Sequence, residues 1–270
     1  TGKTGFIGTK LVEKLLLEGH EIMDFYSNGY IDSVIHLSAI AGIHPELQDP
    51  YQHYQVNVMQ TVELLEYCVI RKIPKFIFIS SSAVYGNNRN RPSLETDATD
   101  MPLCHYASTK KAGELACYTY HYRYGIDITC LRLFTVYGPG QKIKMAIPLF
   151  TKSIFQGKEI EIFGDGYRDY VHVDDAVQAI IKSLDNCKGY EIYNIGSSAQ
   201  TSLIELVFYL EEIIGKKAKV KYLPNQIGYA PSTWASIAKA KKELGYVPQI
   251  KIKDGLKRYV DWYRYQQDKF

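Results

Sequence analysis

Phe76-Ile77-Phe78-Ile79-Ser80-Ser81-Ser82-Ala83-Val84-Tyr85-Gly86, followed after a turn-rich interval by Tyr106-Ala107-Ser108-Thr109-Lys110, is the stretch whose reading decides the fold. The apolar run after Pro74 reads as a buried strand. It ends in serines at its carboxyl end, the edge at which open α/β sheets bind ligands. Tyr106 and Lys110 stand four apart, so a helix opening there puts them on one face, a turn from each other. A phenol, an ammonium and a hydroxyl from the Ser81 region are therefore expected to converge on one substrate oxygen.

That trio suits a definite chemistry. A free tyrosine titrates near 10 and is a poor base at neutral pH. A neighbouring ammonium and a cationic nicotinamide both favour the phenolate. Lowering the pKa by about three units takes roughly 4 kcal/mol, which two positive charges supply in a partly dry site. Tyr106 is then expected to take a proton from a sugar hydroxyl while the carbon beneath gives hydride to a dinucleotide. A surface helix with an ordinary tyrosine and lysine is the competing reading, and Tyr-x-x-x-Lys alone does not dispose of it. The serine strand upstream and a glycine pattern at the front weigh against it.

The front reads Thr1-Gly2-Lys3-Thr4-Gly5-Phe6-Ile7-Gly8 and runs into an amphipathic helix, with Leu11, Val12, Leu15 and Leu16 as its apolar residues. Gly2, Gly5 and Gly8 make a G-x-x-G-x-x-G turn that lets backbone approach a pyrophosphate resting on the helix N-terminus. The strand that ordinarily precedes such a turn does not precede it here, which points to residues missing before Thr1. A second strand, ending in an acid for the cofactor ribose, is also expected. Instead the text passes at Met23 into what reads as a helix end over 23–28, and then into the strand 33–37. No strand-helix-strand fits between Ile22 and Met23, so a segment is expected to be missing there too. Asp24 lies near the right distance for the ribose acid but reads better as helix-end surface.

The strand ending His36-Leu37-Ser38-Ala39 is expected to pass beneath a cofactor. A helix over 51–71 follows, with Asn57 near its start, placed to bridge backbone near the serine strand or else a surface amide. The Tyr106 helix runs to 124 and Gly125 ends it. A strand over 126–134 closes in Thr135-Val136-Tyr137-Gly138-Pro139-Gly140. After it the elements shorten: a helix over 147–156, a strand over 160–163, then Tyr167-Arg168-Asp169-Tyr170-Val171-His172-Val173-Asp174-Asp175 as a strand leading to a helix over 176–184 capped by Asp174 or Asp175. Strands at 190–195 and 220–223 and helices at 202–214, 236–244 and 252–265 complete the chain. Arg168 is a cationic fork suited to phosphate. Strands alternating with helices imply an α/β fold with a parallel sheet.

Composition excludes several classes. The 270 residues are 46% hydrophobic and 23% charged, ordinary for a globular protein with a real core. A net charge of +3 is too small to argue for nucleic acid or a membrane surface. Five cysteines without C-x-x-C spacing argue against a disulfide framework or a zinc site and for a reducing, cytoplasmic setting. No metal site is expected. No apolar run approaches the length of a membrane span, and no signal peptide stands at the front.

Jointly the motifs resemble the extended short-chain dehydrogenase/reductase family, in its NAD-dependent nucleotide-sugar epimerase/dehydratase branch. The match covers nearly the whole chain and adds Leu131-Arg132-x-Phe134-x-Val136-Tyr137-Gly138-Pro139 and Lys239-Ala240-x-x-Glu243-Leu244-Gly245-Tyr246 to the motifs above. The resemblance implies a Rossmann-type doubly wound parallel sheet with a smaller α/β substrate lobe at its C-terminal edge. Residues 1–136 plus about 167–195 would form the first, and about 137–166 plus 196–270 the second. It implies Tyr106 as base, Lys110 on the nicotinamide ribose and Ser81 as third member, with Ser82 as second choice. Gly2, Gly5, Phe6, Ile7, Gly8, Leu37, Ser38, Ala39, Asn57, Ser80, Phe134 and Val136 would line the cofactor. NAD would stay bound and be regenerated in each turnover, although without the ribose-binding strand NAD against NADP rests on the family alone.

Dehydratases of the family carry an Asp-Glu pair after the Ser/Thr, and the related decarboxylases a Glu just before the Val. Here those places are Ser82 and Ala83. With no acid to expel the C6 hydroxyl, C4 epimerisation remains: oxidise C4, turn the 4-keto sugar over, return hydride to the other face. The Tyr106–Ala112 and Phe134–Pro139 motifs, with Thr135 and Met145-Ala146, look most like UDP-glucuronate 4-epimerases; UDP-glucose and UDP-N-acetylglucosamine 4-epimerases are the alternatives. Lys142 and His44 stand where that branch has arginines, and Lys142 keeps a charge for a C6 carboxylate but not the fork. Thr233 is small where a large residue would limit N-acetyl sugars. Tyr229 and Ser236 replace family aspartates. The resemblance also implies a homodimer through the helices that begin near Tyr51 and Tyr106.

Overall fold

The computed structural model describes residues 1–24, 27, 29–42, 49–88, 91–141, 145–164, 166–224 and 230–267. In chain order the elements are α1 (Phe6–Leu17), β1 (Ser33–His36), α2 (Pro50–Tyr54), a π-helical turn (Gln55–Met59), α3 (Gln60–Arg71), β2 (Lys75–Ser81), a 3₁₀ turn (Ser82–Tyr85), α4 (His105–Tyr124), β3 (Asp127–Leu133) and β4 (Thr135–Tyr137). They continue with α5 (Ala146–Gln156), β5 (Glu159–Phe163), β6 (Tyr167–Arg168), β7 (Tyr170–His172), α6 (Val173–Asp185), β8 (Tyr190–Ile195), β9 (Thr201–Ser202), α7 (Leu203–Ile214), β10 (Lys219–Leu223), α8 (Ala238–Leu244) and α9 (Ile252–Gln267).

Four strands pair in the order β1-β2-β3-β8, all in parallel. The apolar run of β2 is continuous because both faces of the sheet are covered. Side chains alternate along a strand, so Ile77 and Ile79 join Leu131 and Leu133 under α1 and α6, while Phe76 and Phe78 join Ile128 and Cys130 under α3 and α4. Ala240 and Leu244 of α8, with Tyr246, pack into the first of these clusters. A third cluster is built by α5, α7 and α9 around β5 and β10, with Tyr137 and Tyr170 carried in on β4 and β7. Parallel register sets Ser80 opposite Arg132 and Ser81 opposite Leu133. The carboxyl ends of β1, β2 and β3 therefore deliver 37–39, 81–82 and 134–136 to one edge.

Three expectations change. Met23, Asp24 and Ser27 are not helical; the Ser27 amide closes a turn on the Asp24 carbonyl instead. No described residue between α1 and β1 lies in a strand. The run 167–173 is not one strand: β6 pairs antiparallel with β9 and β7 parallel with β4, and the chain changes partner at Asp169. The cap of α6 is neither Asp174 nor Asp175 but His172, whose Nδ1 accepts from the Asp174 amide. Asp175 instead accepts from the amides of Gln249 and Ile250, tying α6 to the chain before α9. Among the described residues no helix is long and apolar enough to cross a membrane.

Candidate active site

The site is built on α4. Gly125 in the left-handed region, at φ 71°, ends that helix, as its sequence indicates. Lys110, one turn beyond Tyr106, is buried, and its Nζ donates to the Ile79 carbonyl at 2.7 Å. The same ammonium stands 5.0 Å from the Phe78 ring centroid and 6.0 Å from that of Tyr106. Burial draws its pKa down from 10.5 to about 8, against the opposing pull of Cys117 and Glu114. Ser81 sits where β2 passes into the 3₁₀ turn; its Oγ accepts from the Ala83 amide, and its side chain stands near enough to the Tyr106 phenol to draw the phenol's pKa down. The three groups named from the sequence are thus brought together.

Their electrostatics depart from expectation in one respect. In the protein alone the Tyr106 phenol is pushed up to about 12, because burial outweighs the Ser81 side chain that lowers it. Lys110 directs its charge at a backbone carbonyl and aromatic faces and is not among the groups that shift the phenol. The Cys104 thiol, just before α4, acts on Tyr106 in the same unfavourable direction as burial.

The glycine turn tests whether the chain accepts a dinucleotide. Gly2 has φ +73°, and a Cβ on it would fall 2.8 Å from the Ser38 amide nitrogen; one on Gly8 would fall 2.0 Å from the Gly2 carbonyl oxygen. Gly5 caps α1 with no side chain over the helix end and no acid in the first turn. This cradle of bare backbone and open amides fits a pyrophosphate. Phe6, Ile7, Leu37 and Val136 are half-buried against the sheet cluster beside it, and Ala39 is half-buried in the loop beyond β1. Asp24 is exposed and pairs with Lys3 inside the glycine turn. No described strand carries an acid to the ribose position.

A hydrogen-bond chain ties this cradle to the catalytic helix. Thr1 Oγ1 lies 2.7 Å from His36 Nδ1, and His36 Nε2 lies 2.9 Å from Thr61 Oγ1. Thr61 spends its hydrogen on the Asn57 carbonyl, so His36 donates through Nε2 and accepts through Nδ1. The Asn57 amide donates to the Ile40 carbonyl and to Thr109 Oγ1, each at 3.0 Å, and its oxygen accepts from the Ile40 amide at 2.8 Å. Thr109 donates in turn to the Tyr106 carbonyl. Asn57 therefore joins the loop after β1 to α4, not to the serine strand. It reaches both because the π-helical turn Gln55–Met59 rotates it inward. Ser80 is also placed differently: its hydroxyl donates to Glu114 Oε1 at 2.6 Å, which leaves only its backbone for a cofactor.

Around Asp169 the Thr135 amide donates to the Asp169 carbonyl, and Thr233 Oγ1 accepts from the Asp169 amide. The Thr233 amide donates to the Tyr167 carbonyl, and Arg168 Nη1 bonds the carbonyls of Tyr167 and Pro231. Thr135, Arg168 and Thr233 are thus gathered around Asp169. Phe134 is buried against Tyr85 and Ala235. Met145 is exposed at the start of α5. His44, Lys142 and Tyr229 lie outside the described residues, and Ser236 bonds the Ser93 carbonyl through its amide. Among the described residues no cluster of histidine, cysteine or acid suits a metal ion.

Three residues at the site have roles that the motifs alone do not assign. Asp169 is buried, and its carboxylate accepts from the amides of Ser197, Ser198 and Ala235 and from the Ser197 hydroxyl. Glu114 and Arg132 form a buried bidentate pair. A charge isolated in the apolar run Leu131-Arg132-Leu133 was the available signal, since a buried guanidinium requires a partner.

A two-sided parallel sheet with a glycine cradle, a helix-borne Tyr/Lys couple and a facing serine at its carboxyl edge defines a nicotinamide-dependent enzyme of the short-chain dehydrogenase type. The chain belongs to the NAD dependent epimerase/dehydratase family, whose profile matches residues 23–196. It is 42% identical over 244 residues to a UDP-glucuronate 4-epimerase of Thermodesulfobacterium geofontis, covering 89% of this chain and 74% of that protein. With protein CapI of Staphylococcus aureus it shares 31% identity, 97% of each chain being covered. That alignment spans 323 positions against the 270 residues here, so the relative carries residues without a counterpart in this chain. The crystal structure of a UDP-glucuronic acid 4-epimerase from Bacillus cereus, in complex with UDP-glucuronic acid and NAD, superposes with a TM-score of 0.88 at 33% identity and 98% coverage of each chain.

Proposed function

We propose that this chain catalyses NAD-dependent C4 epimerisation of a UDP-hexose, with UDP-glucuronate converted to UDP-galacturonate. The observation that carries the reading is the meeting of Tyr106, Ser81 and Lys110 at the sheet edge beside the glycine cradle. Bound NAD supplies a hydride acceptor that later returns the hydride, and in its oxidised form a positive charge that favours the phenolate. Tyr106 takes the proton of the C4 hydroxyl and gives it back after the sugar has turned. Ser81, whose side chain lowers the pKa of the phenol beside it, holds the same oxygen. Lys110 is fixed by the Ile79 carbonyl, with donors left for a ribose hydroxyl. Ser82 and Ala83 open the 3₁₀ turn where a dehydratase needs carboxyl groups, so nothing there protonates a leaving C6 hydroxyl.

Gly2, Gly5 and Gly8 cradle the pyrophosphate, and Thr135, Arg168 and Thr233 face the sugar nucleotide. The names of the relatives favour a C6 carboxylate, for which Lys142 is the cation, with His44 standing at the second arginine position of that branch. Residues 1–136 with 167–195 act as the cofactor half and the remainder as the substrate half. The protein is read as a cytoplasmic homodimer through the helical run that begins near Tyr51, from α2 through α3, and through α4, whose surfaces expose Tyr51, Ile70, Leu115, Tyr118 and Tyr122; a monomer in sedimentation velocity would remove that part. The test of function is the rate on UDP-glucuronate, UDP-glucose and UDP-N-acetylglucosamine in parallel. Preference for UDP-glucuronate is expected. Equal or greater rates on a neutral sugar would move the assignment to the alternatives, and no epimerisation of any of the three would refute it.

A further inference from the structure

We infer that the buried pair Glu114–Arg132 is a positioning device that holds Ser81 against Tyr106 from both sides. The inference rests on the epimerase reading. Glu114 lies one turn beyond Lys110 on α4, and both partners are almost wholly enclosed, at 1% and 2% exposure. Arg132 Nε and Nη2 bond the two carboxylate oxygens at 2.9 Å each. The pair does more than neutralise itself. Glu114 Oε1 accepts from the Ser80 hydroxyl, just before Ser81. Arg132 Nη1 donates to the Tyr85 hydroxyl at 2.9 Å, at the end of the 3₁₀ turn that Ser81 caps. Tyr85 lies under the guanidinium, 4.9 Å from ring centroid to Cζ, and passes its own hydrogen to Asn194 Oδ1 at 2.7 Å. Arg132 Nη1 also reaches the Glu95 carbonyl, and the Glu95 carboxylate takes the Asn194 amide.

The segment from Ser80 to Tyr85 is therefore pinned at both ends to one ion pair, and that pair belongs partly to the helix that carries Tyr106 and Lys110. Pinning one end directly to α4 through Glu114, and the other to Arg132 of β3, which Glu114 grips, fixes the distance from Ser81 to the phenol without either charged group approaching substrate. A buried ion pair is a poor source of stability, because desolvation consumes most of its attraction. Packing alone would be served as well by two apolar side chains. Its place behind the serine turn makes sense as geometry, where small displacements cost large factors in rate.

Two double variants separate positioning from mere structure. Glu114→Leu with Arg132→Met removes the charges together and is expected to fold, with a melting temperature near or above that of the wild type. Ser80→Ala with Tyr85→Phe leaves the pair intact and cuts only the two hydroxyl anchors, with little change in volume. In both, kcat for UDP-glucuronate is expected to fall at least tenfold while KM stays within about twofold. Arg132→Lys, which keeps the charge but not the fork, is expected to rescue little. A kcat within twofold of the wild type in Ser80→Ala/Tyr85→Phe would overturn the inference, whether or not the Glu114→Leu/Arg132→Met protein folds. Wild-type turnover judges the epimerase reading, and the ratio of variant to wild type judges the pair, so each can fail without the other.

Discussion

His36 and Asp169 are single buried groups with opposite consequences for acid stability. Burial, aided by the charge of Lys110, pulls the His36 imidazole down from 6.5 to about 3. Between those values the unfolded chain binds the proton and the folded one does not, so His36 removes stability as pH falls from about 6.5 towards 3. Burial raises the Asp169 carboxyl from 3.8 to about 6, against four hydrogen bonds that lower it. There the folded chain binds the proton first, so acidification from about 6 to 4 adds stability. Each group changes the slope by at most about 1.4 kcal/mol per pH unit. Urea unfolding at pH 6.5 and 4.5 is expected to show Asp169→Asn losing stability faster than the wild type on acidification, and His36→Gln losing it more slowly. The reverse order would mean that neither group titrates as its burial dictates. At this scale the sequence announces Tyr106, Lys110 and Ser81, because motif spacing survives folding unchanged. It does not announce that burial lifts the phenol to about 12, because desolvation depends on what the distant chain places over it.

At the scale of elements, periodicity reads well where one face meets one core. The strand at β2, the helix α4 with its glycine stop and the helix α7 with its Ser202–Glu205 capping box lie within a residue or so of their expected ends. It reads poorly where a distant group rewrites local structure. The run 167–173 divides at Asp169 because that carboxylate is claimed by Ser197, Ser198 and Ala235. The π-helical turn around Asn57 is invisible to a 3.6-residue pattern, yet it lets the amide reach Ile40 and Thr109 together. Asn57→Ala leaves the Ile40 amide and carbonyl without these partners. It is expected to cost roughly 2–4 kcal/mol, measured by urea unfolding, and to lower kcat through loosening of the first turn of α4. A loss below about 0.5 kcal/mol would mean that the loop and the helix are held by other means.

For the whole molecule, the proposed division of labour rests on separately filled interiors. One lies on both faces of the β1-β2-β3-β8 sheet, with Ser81 at the carboxyl end of β2 and Lys110 bonded to the Ile79 carbonyl of the same strand. The other, around β5 and β10, takes in Tyr137 and Tyr170 from β4 and β7, on either side of Asp169. Alternation of strands and helices makes the first legible in the sequence. The second is less so, since its strands are short and their partners distant. The most direct measurement on the whole protein is single-turnover conversion of UDP-glucuronate by wild type and Tyr106→Phe, with NAD at saturation and product read by proton NMR. The account predicts that the wild type forms UDP-galacturonate, while Tyr106→Phe binds both ligands and forms it at least a thousandfold more slowly. Turnover by Tyr106→Phe within tenfold of the wild type would contradict it.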